Sequence, residues 1–354
     1  MLVTRYEHNP IIKPEDVPPS QPTLTVWYVI NAGVARLGDE VLLLMRVAEQ
    51  ARSDDPNILR VPYIDPQTHV LNIKEFNRDD PRIGLSDPRW VSTPDQDYLS
   101  SISHLRLARS RDGLHFTVDE QPALSAGDAY DNYGVEDARI TKLGETYYIN
   151  YTSVSPTAGV TTSLVSTQDF RSFQRHGVIF PPDNKDVTIF PARINDRYYA
   201  LHRPTSGVFG RHNIWIAESP DLLCWGRHRL LLETRAGMWD GGRVGGGGIP
   251  LLTDDGWLEI FHGADAQSRY ALGAVLLDRD EPWKVLARSK EPLMVPEEDY
   301  ELHGVFSNVV FTCGTLCEKG VLLDDQVVRI WYGAADTVMA YAEIKLQDVL
   351  ASLR

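Results

Sequence analysis

DARITKLGETYYINYTSV (137–154) reads as a strand, a turn and a second strand: β-branched and aromatic residues fill both arms, and Gly144 lies between them. The same form recurs along the chain. VWYVINAGVARLGDEVLLLMRV (26–47) turns at Gly38-Asp39, FPARINDRYYALHRP (190–204) at Asn195-Asp196, and GIPLLTDDGWLEIFHGA (248–264) at Asp255-Gly256. VFTCGTLCEKGVLLDDQVVRIWYGAAD (310–336) is a longer version. A second unit follows several of these hairpins. LRLARSRDGLHF (105–116), LVSTQDFRSF (164–173) and IWIAESPDLLCW (214–225) each run an apolar strand into Ser, then Asp within three residues, then an aromatic. YALGAVLLDRDEPWKV (270–285), with Asp278 and Trp283, is a looser copy, and AYAEIKLQDVLASL (340–353) stands where a fifth would fall.

A hairpin plus a strand-turn-strand makes a four-stranded unit, and five such units of roughly 65–70 residues fill the chain. Alternating βα units are absent, which argues against a parallel α/β fold. Clear helical periodicity is confined to the tail near Leu346 to Leu353. The pattern predicts an all-β, five-bladed β-propeller, one domain over 1–354, with a pair of β-sandwiches as the structural rival. Pro10, Pro14, Pro18, Pro19 and Pro22 make residues 1–25 an extended lead-in rather than a helix.

Apolar residues make up 43% of the 354, enough for a substantial core. The formal net charge of −14 argues against nucleic acid or anionic membrane as a partner, so any basic cluster must be local. Cys224, Cys313 and Cys317 have no disulfide-framework spacing, and no histidine pair stands near them to suggest zinc. The N-terminus lacks the apolar run of a signal peptide or membrane span. These features together predict a cytoplasmic protein.

In a propeller the first strands of all units converge on the axis, so polar residues at the hairpin ends are the ones to inspect. NYGVEDARIT (132–141) places Glu136, Asp137 and Arg139 together. Strand alternation predicts Glu136 on one face and Asp137 with Arg139 on the other. An edge-strand ion pair is the plain alternative. Corresponding ends offer Asn31 and Arg46, then Lys185, Asp186, His202 and Arg203, then Arg243 and His262, and finally Asp336. Guanidinium groups match phosphate oxygens in bidentate fashion, so this basic set beside carboxylates suits an oxyanion plus a polyol. Trp27, Tyr28, Tyr133, Trp239 and Tyr270 are candidates for stacking on sugar faces. GGRVGGGG (241–248) lacks the Walker lysine pattern and reads as backbone that must approach a ligand or the axis closely.

Taken in order, NPII (9–12), INAG (30–33), LLLMR (42–46), LARSRDGLHF (107–116), GVEDARIT (134–141), KDVTIFPARI (185–194), LHRP (201–204), WLEIFHGA (257–264), LGAVLLD (272–278) and YGAAD (332–336) span nearly the whole chain. In these elements the chain resembles glycoside hydrolase family 130, the β-mannoside phosphorylases and their hydrolase relatives. The resemblance implies a five-bladed propeller that phosphorolyses a β-mannoside, β-1,2- or β-1,4-linked, with inversion to α-mannose 1-phosphate. It implies Asp137 as general acid. Asn31, Arg46 and Asp336 would hold the mannosyl unit, with Tyr133 a further sugar contact. Arg203, Arg243, His262 and Tyr270 would bind phosphate, with Lys185 nearby. Phosphate would be the co-substrate, with no cofactor or metal, and a homo-oligomer is compatible with the family. Ala138 stands where many members have proline, and Ala32 where some have serine. An exo-acting β-mannosidase using water and a non-catalytic carbohydrate-binding propeller are the competing readings. A proton on Asp137 near pH 7 requires a raised pKa, from burial or from Glu136, and Arg139 opposes it.

Overall fold

The computed structural model describes residues 3–65, 67–205 and 209–353. Strands dominate; among the described residues they form sheets of eight, four, five and four strands plus two two-stranded hairpins, and the eight-stranded sheet divides into two antiparallel halves, which makes five main groups in chain order. The first holds Leu24–Leu37, Glu40–Ala51, Ile102–Ser110 and Thr117–Val118; the second holds Gly134–Leu143, Thr146–Ser155, Gly159–Thr167 and Gln174–Phe180. One parallel bridge, Gly134 to Ser103, joins these two. The third contains Asn184–Ile189, Tyr198–Pro204, Ile214–Ser219 and Gly226–Leu232. In the fourth, Arg243–Gly245 and Leu251–Thr253 both pair with Gly256–Ala264, followed by Tyr270–Leu277 and Val285–Arg288. The fifth runs Val310–Lys319, Gln326–Ala334, Val338–Lys345, and takes Val3–Arg5 from the start of the chain as its outer strand. The tail helix is Leu346–Ala351.

The hairpin turns fall where the Gly and Asn-Asp pairs placed them, and Gly38, Gly144, Asn195 and Asp196 all have positive φ. The recurrent Asp after the third strand has a physical role. Asp112, Asp169, Asp221 and Asp278 each accept, through Oδ1, the backbone N–H groups two and three residues on. This side-chain-made turn reverses the chain toward the outer strand without spending ladder hydrogen bonds.

Apolar clusters join each group to the next. Leu44, Leu105, Val135 and Ile149 link first to second; Leu164, Phe180, Val187 and Ala200 link second to third. Phe190, Leu201, Phe261 and Val275 link third to fourth, and Ile260, Leu272, Val310 and Ile330 fourth to fifth. Val29, Leu43, Trp331 and Tyr341 return from fifth to first.

Arg243–Gly245 of the fourth group contacts Tyr198–Pro204, and the leading strands of the first, second, third and fifth groups contact one another. Three of them carry a β-bulge at corresponding points, between Ile30 and Gly33, Glu136 and Arg139, and Lys185 and Thr188. At each bulge one residue is left-handed: Asn31 (φ 53°), Asp137 (φ 49°) and Asp186 (φ 53°). Asn and Asp tolerate this region best among residues with a side chain, and a bulge re-aims the side chain it carries. All three side chains therefore reach the same central cavity.

Candidate active site

The cavity measures about 510 Å³ and takes lining residues from all five groups. Its acidic end is built by the bulge at 136–139. Asn31 Nδ2 donates to Asp137 Oδ1 at 2.9 Å. Arg46 donates to Glu136 Oε1 at 2.6 Å, to the Tyr28 hydroxyl at 2.9 Å and to Asp137 Oδ1 at 3.4 Å. Glu136 and Asp137 thus share one guanidinium and both face the cavity, which overturns the alternating-face expectation: the inserted residue breaks the two-residue period at that point. Arg139 turns away toward the axis, donating to the carbonyls of Asp137 (3.0 Å), Gly246 (2.9 Å) and Gly247 (3.1 Å), and to Asp186 Oδ1 at 3.3 Å.

Burial pushes the Asp137 carboxyl up, but Arg46, Lys185, Arg139 and the Asn31 amide together hold it below the usual carboxylate range. The shift thus runs opposite to the raised pKa that a proton donor near pH 7 requires. Asp336 behaves oppositely: burial lifts it to about 6 against the pull of Arg46, with the Asp137 charge adding to the lift.

The opposite end is cationic. Lys185 and Arg203 are direct cross-strand partners, a like-charge pairing that costs stability unless an anion is meant to sit there. Arg203 is 3% exposed, and its Nε and Nη1 have no hydrogen-bond partner among the described residues. Arg243 donates to the Tyr270 hydroxyl at 2.9 Å, the two residues flanking Ala264 of the strand between them. His262 is fully buried, and neither ring nitrogen meets hydrogen-bond geometry with a described residue. Burial pushes its pKa down to about 4, with Asp186 acting the other way. The glycine run makes this crowding feasible: a Cβ on Gly245 would stand 2.5 Å from the His262 ring and one on Gly247 2.0 Å from the Ile260 carbonyl.

Of the residues anticipated from sequence, Asn31, Arg46, Asp137 and Asp336 line the cavity together with Lys185, Arg203, Arg243, His262 and Tyr270. Tyr133 does not. It is buried against Val61, Val91 and Tyr98, and its hydroxyl donates to the Asp97 carbonyl, so its placement as a sugar contact is corrected to a brace for the neighbouring hairpin. His202 is spoken for by Asn184 and His228, and Trp239 packs on Phe261 beneath Gly263 and Gly273. Sequence reasoning passed over Arg89, Trp90, Leu99 and Ser101, which line the mouth. They sit on or beside two hairpins, Ile58–Ile64 with Leu71–Asn77 and Trp90–Ser92 with Asp97–Leu99, inserted between the second and third strands of the first group. The Arg89 guanidinium stacks 5.1 Å from Trp90 and 4.9 Å from Phe306. Val160 also lines the cavity, and residues 206–208 lie outside the described residues.

Residues 93–354 match the glycoside hydrolase family 130 model, described as beta-1,4-mannooligosaccharide phosphorylase. The beta-1,2-mannobiose phosphorylase of Listeria innocua is 45% identical over 100% of this chain and 99% of its own length. A solved complex of that enzyme with beta-1,2-mannobiose superimposes with a TM-score of 0.94 at 44% identity, covering 100% of this chain and 99% of that one. The 1,2-beta-oligomannan phosphorylase of Thermoanaerobacter sp. is 38% identical over 72% of this chain and 83% of its own length. The chain belongs to glycoside hydrolase family 130, whose mannoside-directed site is built inside an all-β scaffold.

Proposed function

We propose that this protein is an inverting β-mannoside phosphorylase acting on β-1,2-mannobiose or short β-1,2-linked manno-oligosaccharides. The β-1,2 linkage is favoured by the full-length relatives that act on that linkage. The observation that carries the phosphorylase reading is the set Lys185, Arg203, Arg243 and His262 facing Asp137 across one cavity, with donors unpaired among the described residues. Lys185 and Arg203 are direct cross-strand partners, a like-charge pairing that a bound anion would relieve beyond what Asp186 already offsets.

Phosphate is already an anion, so no general base is needed to activate it, unlike water in an inverting hydrolase. Its oxygen bonds to the anomeric carbon as the glycosidic C–O bond breaks, and the leaving sugar oxygen takes a proton that originates on Asp137. The products are α-mannose 1-phosphate and the shortened acceptor. Asp137 acquires that proton only as ligands arrive. The sugar displaces water and deepens its burial, while the phosphate charge offsets Lys185, one of the cations that hold its pKa down. Asn31, Arg46 and Asp336 hold the mannosyl hydroxyls, and positioning with electrostatics supplies most of the rate.

The five strand groups are read as five blades of one propeller domain over 1–354. The count is supported by the apolar clusters running from each group to the next and back from fifth to first, and by Val3–Arg5 completing the fifth sheet. A reducing, cytoplasmic setting is supported by three unpaired cysteines, one of them exposed. No helix among the described residues is long and apolar enough to cross a membrane.

The test is incubation with β-1,2-mannobiose with and without inorganic phosphate. Mannose 1-phosphate formed only with phosphate is expected. Free mannose produced at equal rate in both would establish a mannosidase instead.

A further inference from the structure

Asp186 has no part in the chemistry above, yet it stands at the junction of the cavity's two ends. It is 1% exposed and left-handed at its bulge. Its Oδ2 lies 2.9 Å from Arg203 Nη2 and 3.4 Å from His262 Nε2, and its Oδ1 accepts from Arg139 Nη2 at 3.3 Å. Arg139 in turn donates through Nη1 to the backbone carbonyl of Asp137. One carboxylate therefore adjoins Arg203 and the His262 imidazole of the anion cradle, and also Arg139, which grips the acid's own backbone.

We infer that Asp186 is a positioning residue that pre-orients Arg203 and His262 toward phosphate and, through Arg139, fixes the backbone of Asp137 opposite them. Its Oδ2 stands 2.9 Å from Nη2 of Arg203 as an ion pair without hydrogen-bond geometry, and Nε and Nη1 have no partner among the described residues, which leaves them for an incoming anion. The same oxygen lies 3.4 Å from Nε2 of His262, a ring that has no hydrogen-bond partner on either nitrogen among the described residues. A side chain already held loses less freedom when phosphate binds. A carboxylate inside a phosphate site also repels phosphate, so its retention there requires that orientation outweigh repulsion. Gly245 preserves the arrangement: a Cβ there would stand 2.7 Å from Asp186 Oδ2 and 2.5 Å from His262 Nε2, wedging the two apart.

This inference rests on the phosphorylase reading, and the experiment separates the two. Steady-state phosphorolysis of β-1,2-mannobiose is measured for the parent, Asp186→Asn and Gly245→Ala, varying phosphate and mannoside separately across pH. In both variants the phosphate KM should rise at least about tenfold while the mannoside KM stays within about twofold, and the pH profile of kcat/KM for phosphate should move. A parent without phosphate dependence would sink the phosphorylase reading itself. A phosphate-dependent parent whose folded Asp186→Asn variant keeps its phosphate KM and pH profile would overturn the positioning role. Equal losses on both substrates, or failure of the near-isosteric Asp186→Asn chain to fold, would overturn it too, assigning the residue to the scaffold.

Discussion

Glu259 offers a quantitative test of how the centre of the molecule is built. It is fully buried on Gly256–Ala264; its Oε1 accepts the Gly247 N–H at 2.9 Å, and its Oε2 has no described partner. Burial lifts its pKa to about 8, with the Gly247 bond and the more distant Arg139 pulling the other way. In the unfolded chain the same carboxyl sits near 4.5. The folded state thus keeps a proton that the unfolded state releases, so this contribution to stability is full below pH about 4.5 and drains away up to about 8. At about 1.4 kcal/mol per pH unit, roughly 3 kcal/mol is gone by pH 7. Glu259→Gln keeps an acceptor for Gly247 and cannot ionise, so it should recover that amount at pH 7 and almost nothing at pH 4. With an unfolding entropy of about 2 cal/mol/K per residue, the gain is roughly 4 °C in Tm for a chain of this length. Melting curves of parent and variant across pH 4–9 provide the measurement. Parallel curves, or a variant less stable at pH 7 than the parent, would refute the claim that Glu259 is buried neutral.

Three further outcomes are expected. Asp137→Asn should lower kcat by at least about 100-fold while β-1,2-mannobiose binding, followed calorimetrically, survives within a few-fold; near-full turnover would remove it as the acid. Arg243→Ala should raise the phosphate KM far more than the mannoside KM, read from separate saturation curves, because it contributes a cation and loses only the Tyr270 contact. If Asp336 holds sugar hydroxyls as proposed, its charged form is the stronger acceptor, and with its titration near 6 the kcat/KM for mannoside should fall below about pH 6 and that limb should vanish in Asp336→Asn.

The local code was read directly from the chain. Gly38, Gly144 and Asn195-Asp196 mark tight turns because their backbone tolerates positive φ, and Asp112, Asp169, Asp221 and Asp278 write their turns with their own carboxylates. The family was equally visible, because its motifs recur in order from NPII to YGAAD. The strand period failed where it mattered most, at 136–139: a bulge is one extra residue, and nothing in GVEDARIT alone says which residue will be left unpaired. Tyr133 looked like a sugar platform by type and position, and only its packing against Tyr98 showed that its ring was already covered.

The sequence by itself determined the turns and the identity of the charged groups, since these depend on neighbours a few residues apart; it did not determine the strand count of each unit, because the fourth sheet has five strands and the fifth takes Val3–Arg5 from the start of the chain while 346–351 is a helix. The tertiary structure alone decided that Asn31, Asp137 and Asp186 point into one cavity, that Arg139 bonds to the carbonyls of Asp137, Gly246 and Gly247, and that Asp137 is held below the usual carboxylate range while Asp336 is lifted to about 6. Those outcomes are set by burial and by charges brought together from positions more than a hundred residues apart, and a linear pattern carries neither.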